Sequence, residues 1–184
     1  MAATETTRIP LGFKAPDFSL LDTISDNILS LQSLKGENAT VVMFICNHCP
    51  YVKHVNKQLV SLAKDYTAKG ISFIAISSND VLNYPQDAPE LMKINAETEG
   101  YPFPYLYDET QEIAKAYHAA CTPDFSIFDK DLLCIYRGQL DDSRPKNDSI
   151  SDGKDIRTVL ENILAGIPVS DKQIPSLGCN IKWK

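Results

Sequence analysis

The sequence predicts a single α/β domain: a central mixed β-sheet flanked by helices, with an N-terminal β-hairpin extension. Three observations carry this. Two runs of β-branched and aromatic residues, 40–45 and 71–76, enclose one amphipathic helical stretch, the pattern of a βαβ unit with parallel strands. Two further apolar runs, 125–128 and 132–136, are joined by Asp129-Lys130-Asp131, a link of hairpin length. The chain has 184 residues, slightly more than one typical domain and too few for two. Residues 1–10 read as a flexible arm, 11–168 as the domain, and 169–184 as a C-terminal tail without clear pattern.

Residues 15–21 alternate weakly and suit a short edge strand. Residues 23–27 supply a turn, and 28–30 return as the second strand of a hairpin. Residues 31–35 form a short turn closed by Gly36. Thr40-Val41-Val42-Met43-Phe44-Ile45 has no alternation and suits a central strand buried on both faces. Cys46-Asn47-His48-Cys49-Pro50 follows at once. Val52, Val55, Leu59, Leu62 and Tyr66 then recur at spacings of three and four, giving one apolar helical stripe. Gly70 ends that helix, with Lys69 in its last turn. Residues 71–76 form a second buried strand. Residues 79–89 make a loop with two prolines, and a helix over 88–98 starts near Pro89. Residues 101–104 are extended and 105–107 form a short strand. Asp108 is placed to cap a helix over 109–118, with Glu112 near the capping-box position. Ile156, Val159, Leu160, Ile163 and Leu164 pattern a final helix, stopped by Gly166 and Pro168.

Composition narrows the function. Hydrophobic residues make up 43% and charged residues 23%, ordinary values for a globular protein. Eighteen Lys+Arg stand against 24 Asp+Glu, so no strong basic patch is expected and nucleic acid is not a partner. The longest apolar run, 41–46, falls far short of the ~20 residues that a membrane span needs. The first residues have neither the basic nor the apolar region of a signal peptide, so the expected location is cytoplasmic.

Five cysteines are present: Cys46, Cys49, Cys121, Cys134 and Cys179. An odd number cannot all pair within one chain, and a reducing compartment disfavours a structural framework. They are therefore buried thiols, metal ligands or redox catalysts. Cys46 and Cys49 flank two residues where a buried strand becomes a helix. A sulfur there faces unpaired backbone N–H groups and the positive end of the helix dipole, which favours the thiolate. The second cysteine, one turn on, can reach the first. Pro50 fits the first helical turn, where no hydrogen bond is lost. His48 lies beside both sulfurs and, as a cation or donor, is expected to favour the thiolate further. A Cys-x-x-Cys alone is also a zinc half-site, but its place between strand and helix favours redox chemistry.

The stretch 12–20 (Gly-Phe-Lys-Ala-Pro-Asp-Phe-Ser-Leu), the segment 31–36 and the Cys-x-x-Cys turn resemble the thioredoxin-like superfamily. The nearest branch is the redoxin (AhpC/TSA-like) group of peroxiredoxins and thiol–disulfide oxidoreductases. Cys121-Thr122-Pro123, just before a strand, resembles the cis-proline loop of that superfamily. The resemblance spans roughly residues 11–164. It implies a thioredoxin fold, with Cys46 as the attacking thiolate and Cys49 as its resolving partner. It further implies that Thr122, with Pro123, offers backbone hydrogen bonds to an extended substrate. Asn47-His48 resembles the pair found in oxidising or isomerising members. That implies a reduction potential above the roughly −270 mV of thioredoxin.

The resemblance thus implies a thiol–disulfide oxidoreductase using the Cys46–Cys49 couple. Protein or small-molecule disulfides and thiols, with an upstream reductant or oxidant, are its partners, and it needs no cofactor and no metal. Lys53, near the helix start, is a second candidate for favouring the thiolate. Cys121 and Cys179 are candidate third redox thiols, while Cys134 within an apolar strand reads as inert core. A thiol-dependent peroxidase is a second possibility: Cys49-Pro50 resembles the peroxiredoxin Cys-Pro, with Arg144 as a distant thiolate partner. A third is a copper or zinc carrier using Cys46, His48, Cys49 and His54, with His118 and Cys121 facing them.

Overall fold

The computed structural model describes residues 3–184. Its strands and helices are β1 (Ala3–Glu5), β2 (Ser19–Asp22), β3 (Ile28–Ser30), α1 (Leu31–Leu34), β4 (Ala39–Phe44), α2 (Pro50–Tyr66), β5 (Ile71–Ser77) and α3 (Pro89–Glu99). They continue as β6 (Tyr105–Tyr107), α4 (Glu112–Ala116), β7 (Cys121–Thr122), β8 (Asp124–Asp129), β9 (Cys134–Arg137), α5 (Lys154–Ala165) and β10 (Leu177–Asn180). Seven strands form the main sheet in the order β3-β2-β6-β5-β4-β8-β9. β4 runs parallel to β5, with Val41 opposite Phe73, and antiparallel to β8, with Val41 opposite Ile127. The mixed sheet and the β2–β3 hairpin follow the sequence pattern.

All six residues of β4 are buried. Alternate side chains along a strand point to opposite faces, and the core divides accordingly. Val41 and Met43 join the cluster with Val52, Val55, Leu59 and Leu62 of α2 and with Ile156, Val159 and Leu160 of α5. Val42 and Phe44 join the opposite cluster with Ile74, Ile76, Tyr117 and Phe128. An apolar run without alternation is what a strand needs when both of its faces are covered. No helix among the described residues is long and apolar enough to cross a membrane.

Three elements depart from the sequence reading. Of the expected flexible arm, residues 1–2 lie outside the described residues, and Ala3–Glu5 form β1. The expected patternless tail contains β10. β1, β10 and β7 make a second, three-stranded antiparallel sheet. Strands this short carry too few residues for a period to register in the sequence. The helix expected over 109–118 is only α4. Gln111, at its N-cap, sits at φ 64°, held there by bonds from its Nε2 to the Ser78 carbonyl (2.7 Å) and the Lys182 carbonyl (2.8 Å). Asp108 still serves the helix start, accepting from the Ala114 N–H at 2.9 Å.

Candidate active site

The Cys-x-x-Cys turn lies where β4 leaves the sheet and α2 begins. Cys49 is the N-cap of α2 and Pro50 its first residue. Both cysteines are buried, Cys46 at 2% exposure and Cys49 at 0%. The loop before α3 clamps the turn. Asp87, fully buried, accepts from the Asn47 N–H at 2.9 Å and the His48 N–H at 3.3 Å. Its other oxygen meets His48 Nδ1 at 2.6 Å and Asn79 Nδ2 at 2.8 Å. The His48 ring stacks on Tyr84 with centroids 5.6 Å apart. Asn47 donates to the Gln86 carbonyl and accepts from the Tyr105 hydroxyl.

Opposite the turn, the Thr122–Pro123 peptide bond is cis, as the resemblance implies. Thr122 faces both sulfurs. Its Oγ1 lies 3.4 Å from Cys46 Sγ, and its carbonyl lies 3.1 Å from Cys49 Sγ. Its backbone edge is not open to a substrate, however: β10 pairs with it, Cys179 opposite Thr122 and Asn180 opposite Cys121.

The two sulfurs sit in unequal fields. Cys46 and Cys179 each bring a thiol within hydrogen-bonding reach of Cys49 Sγ, and this lowers Cys49 from its ordinary 9.0 to about 5. Burial works against ionisation, as does the Thr122 carbonyl to which Cys49 Sγ donates at 3.1 Å, while the Thr122 side chain favours it. The Val52 N–H, at the start of α2, adds to the lowering without closing a full cap hydrogen bond. Cys46 is pushed well up, first by its bond to Cys49, then by burial and the Asp87 charge. Within this coupled pair Cys49 is the lowered sulfur and Cys46 the raised one, whereas the resemblance implies Cys46 as the attacking thiolate.

The remaining expected site residues divide. His48 is at the site, but its Nδ1 is engaged by Asp87 rather than by either sulfur. Lys53 is on the exposed face of α2, and the donors that hold the Cys49 charge come from Cys46, Cys179 and the helix start instead. Cys179, 4% exposed, joins the sulfur cluster. Cys121 does not: its Sγ lies 3.9 Å from Thr6 Oγ1 and donates to the Pro123 carbonyl at 3.5 Å, and burial raises it. Cys134 is core, pushed up to about 12 by burial. Arg144 spends its guanidinium on the carbonyls of Asp141 and Ser143 and on Gln139 Oε1, within its own loop. Among the described residues, only Cys46, His48 and Asp87 bring three potential metal-ligand atoms within 4.8 Å of one another. His54, His118 and Cys121 do not complete that group. Sequence reasoning missed Asp87, because nothing in a polar, proline-containing loop distinguishes one carboxylate that folds inward.

The AhpC/TSA family profile matches residues 11–136. An uncharacterized conserved protein from Geobacillus kaustophilus, solved by crystallography, is 61% identical with a TM-score of 0.98 over 100% of this chain and 97% of that one. A Mycobacterium tuberculosis protein that carries a provisional peroxiredoxin name is 28% identical over 116 residues, 63% of this chain and 68% of its own. The thioredoxin domain of a thiol-disulfide oxidoreductase from Bacteroides vulgatus has a TM-score of 0.64 at 16% identity, covering 83% of this chain and 99% of that domain, which is a likeness of fold.

Proposed function

The chain belongs to the AhpC/TSA family of thioredoxin-fold redoxins, whose work is thiol redox chemistry, and on that ground we propose that it is a thiol–disulfide oxidoreductase whose working couple is Cys46–Cys49. The observation that carries this reading is a pair of buried cysteines two residues apart at a helix start, facing the cis-proline loop, with one thiol lowered and its neighbour raised. A thiolate is the nucleophile of disulfide exchange, and a second thiol in reach is what completes it.

The lowered sulfur is taken as the nucleophile. Cys49 thiolate attacks one sulfur of a substrate disulfide, and the other half leaves as a thiolate. Cys46 then gives up its proton and attacks Cys49 of the mixed disulfide. The second substrate thiol departs and the Cys46–Cys49 bond remains. The oxidative direction runs the same steps backward. Two variants test this. A Cys46→Ser/Cys179→Ser protein should accumulate a mixed disulfide on Cys49 when mixed with glutathione disulfide, detected by intact mass and peptide mapping. An unmodified Cys49 alongside an adduct on Cys46 in a Cys49→Ser protein would reverse the assignment.

Peroxide reduction is the second reading, and one observation favours it. The charged sulfur is fully buried and is followed by Pro50, so a small oxidant reaches it more readily than a protein disulfide. There Cys49 thiolate attacks one oxygen of hydrogen peroxide, the O–O bond breaks and the other oxygen leaves as hydroxide that takes up a proton to become water; the sulfenic acid so formed is attacked by the Cys46 thiol, giving the same disulfide and a second water. Rates of thiol oxidation by hydrogen peroxide and by a protein disulfide, measured on one preparation, separate the two.

A further inference from the structure

Residues 176–182 lie along the cis-proline loop as an extended peptide. Ser176 Oγ donates to the Pro123 carbonyl at 2.8 Å. Gly178 approaches so closely that an added Cβ would stand 2.1 Å from the Thr122 carbonyl oxygen. Ile181 N–H donates to the Ala120 carbonyl at 3.1 Å, and Lys182 N–H to Asn79 Oδ1 at 2.8 Å. An extended segment that adds main-chain pairing to an exposed strand edge, with one side chain aimed into a pocket, is how strand-addition sites hold peptides. β10 holds β7 in this manner, and the side chain it delivers to the sulfurs is a thiol. Cys179 stands opposite Thr122 in the register and within hydrogen-bonding reach of Cys49.

We propose that β10 is a built-in substrate strand, and that Cys179 exchanges with the active-site disulfide to form a Cys49–Cys179 bond. The inference rests on the reading of Cys46–Cys49 as the redox couple. The step balances within the chain. Cys179 loses its proton and its sulfur attacks Cys49 Sγ. The Cys46–Cys49 bond breaks, the Cys49–Cys179 bond forms, and Cys46 leaves as a thiolate that takes up the proton. One disulfide replaces another, so no oxidant or reductant is consumed. Burial raises Cys179, and the bond to Cys49 followed by burial raises Cys46, so each sulfur favours holding the proton when it is not in a disulfide. Cys49 is then the hub of three thiols and has two resolving partners, Cys46 from the helix turn and Cys179 from the C-terminal strand.

The test removes one partner. The Cys46→Ser protein, with four thiols, is treated with one equivalent of diamide, which takes up two electrons. Free thiols are then counted and the unreduced protein is mapped by peptide mass spectrometry. Cys46→Ala is run beside it as a second background, and Cys46→Ser/Cys179→Ser as the control. The expected result is a fall from four thiols to two in both single variants, with a Cys49–Cys179 peptide, and no intramolecular bond in the double variant. If no such peptide forms in either single variant while the wild type yields Cys46–Cys49, the inference falls and the redox couple stands. If the wild type forms no disulfide on Cys49 at all, the couple falls and the inference with it.

Discussion

Cys46 and Cys49 share a turn and are both buried, yet their sulfurs differ in what they face. Cys49 meets two thiols and the helix start, whereas Cys46 meets that charged neighbour and Asp87. Alkylation of the reduced protein should therefore label Cys49 with a pH midpoint near 5, and Cys46 only at strongly alkaline pH. Rate against pH, resolved by peptide mass, measures both. Stability should follow the same groups. Cys49 is deprotonated in the folded chain above about 5 but in the unfolded chain only near its ordinary 9.0. Between these values the unfolded state binds more protons, so stability rises with pH. Above that window the sign reverses, because folded Cys46 and Cys179 keep protons that the unfolded chain gives up. Urea midpoints at pH 5, 7 and 9, wild type minus Cys49→Ser, should show the rise and be flat if Cys49 is an ordinary thiol. Asp87 is the other residue on which the turn depends. Asp87→Asn leaves buried donors of Asn47, His48 and Asn79 without a carboxylate, at a cost of about 1–3 kcal/mol for each group left unpaired. It also removes a charge that raises Cys46, so the Cys46 midpoint should fall.

At the scale of elements, β4 and α2 were legible because burial on two faces and burial on one face leave different periods. The cis-proline loop was legible only through resemblance, since one proline before a strand carries no period of its own. β10 was not legible. Residues 177–180 are too short to show alternation, and β10 is defined by its partners β1 and β7, far away in sequence. Gly178 shows what this strand requires of its sequence, since its backbone stands against the Thr122 carbonyl. Gly178→Ala places a methyl group where the Thr122 carbonyl stands, so β10 must withdraw from β7. Amide hydrogen exchange over 177–180 should rise, and Cys49, now uncovered, should react faster with a bulky disulfide reagent such as Ellman's. Unchanged exchange and reactivity would mean that the loop yields instead of the strand.

For the whole molecule, two apolar layers on either side of one sheet hold the turn, the cis-proline loop and the tail strand in register. Leu59 lies in the layer beneath α2 at 1% exposure. Leu59→Ala should cost about 2–5 kcal/mol through the lost transfer and the cavity left behind, read from denaturant midpoints at constant m-value. The fold class was legible from this layering, because patterned runs report burial. The second sheet and the Asp87 clamp were not, because each depends on contacts between segments that carry no pattern alone. A thiolate held on Cys49 stabilises the reduced form of the couple and so makes the protein a stronger oxidant than thioredoxin. Equilibration of the wild-type protein in glutathione redox buffers, with the Cys46–Cys49 disulfide quantified by mass, measures this directly. The predicted result is a two-electron transition at a potential less negative than about −270 mV; a potential at or below that value, or no disulfide on Cys49 at any poise, would contradict it.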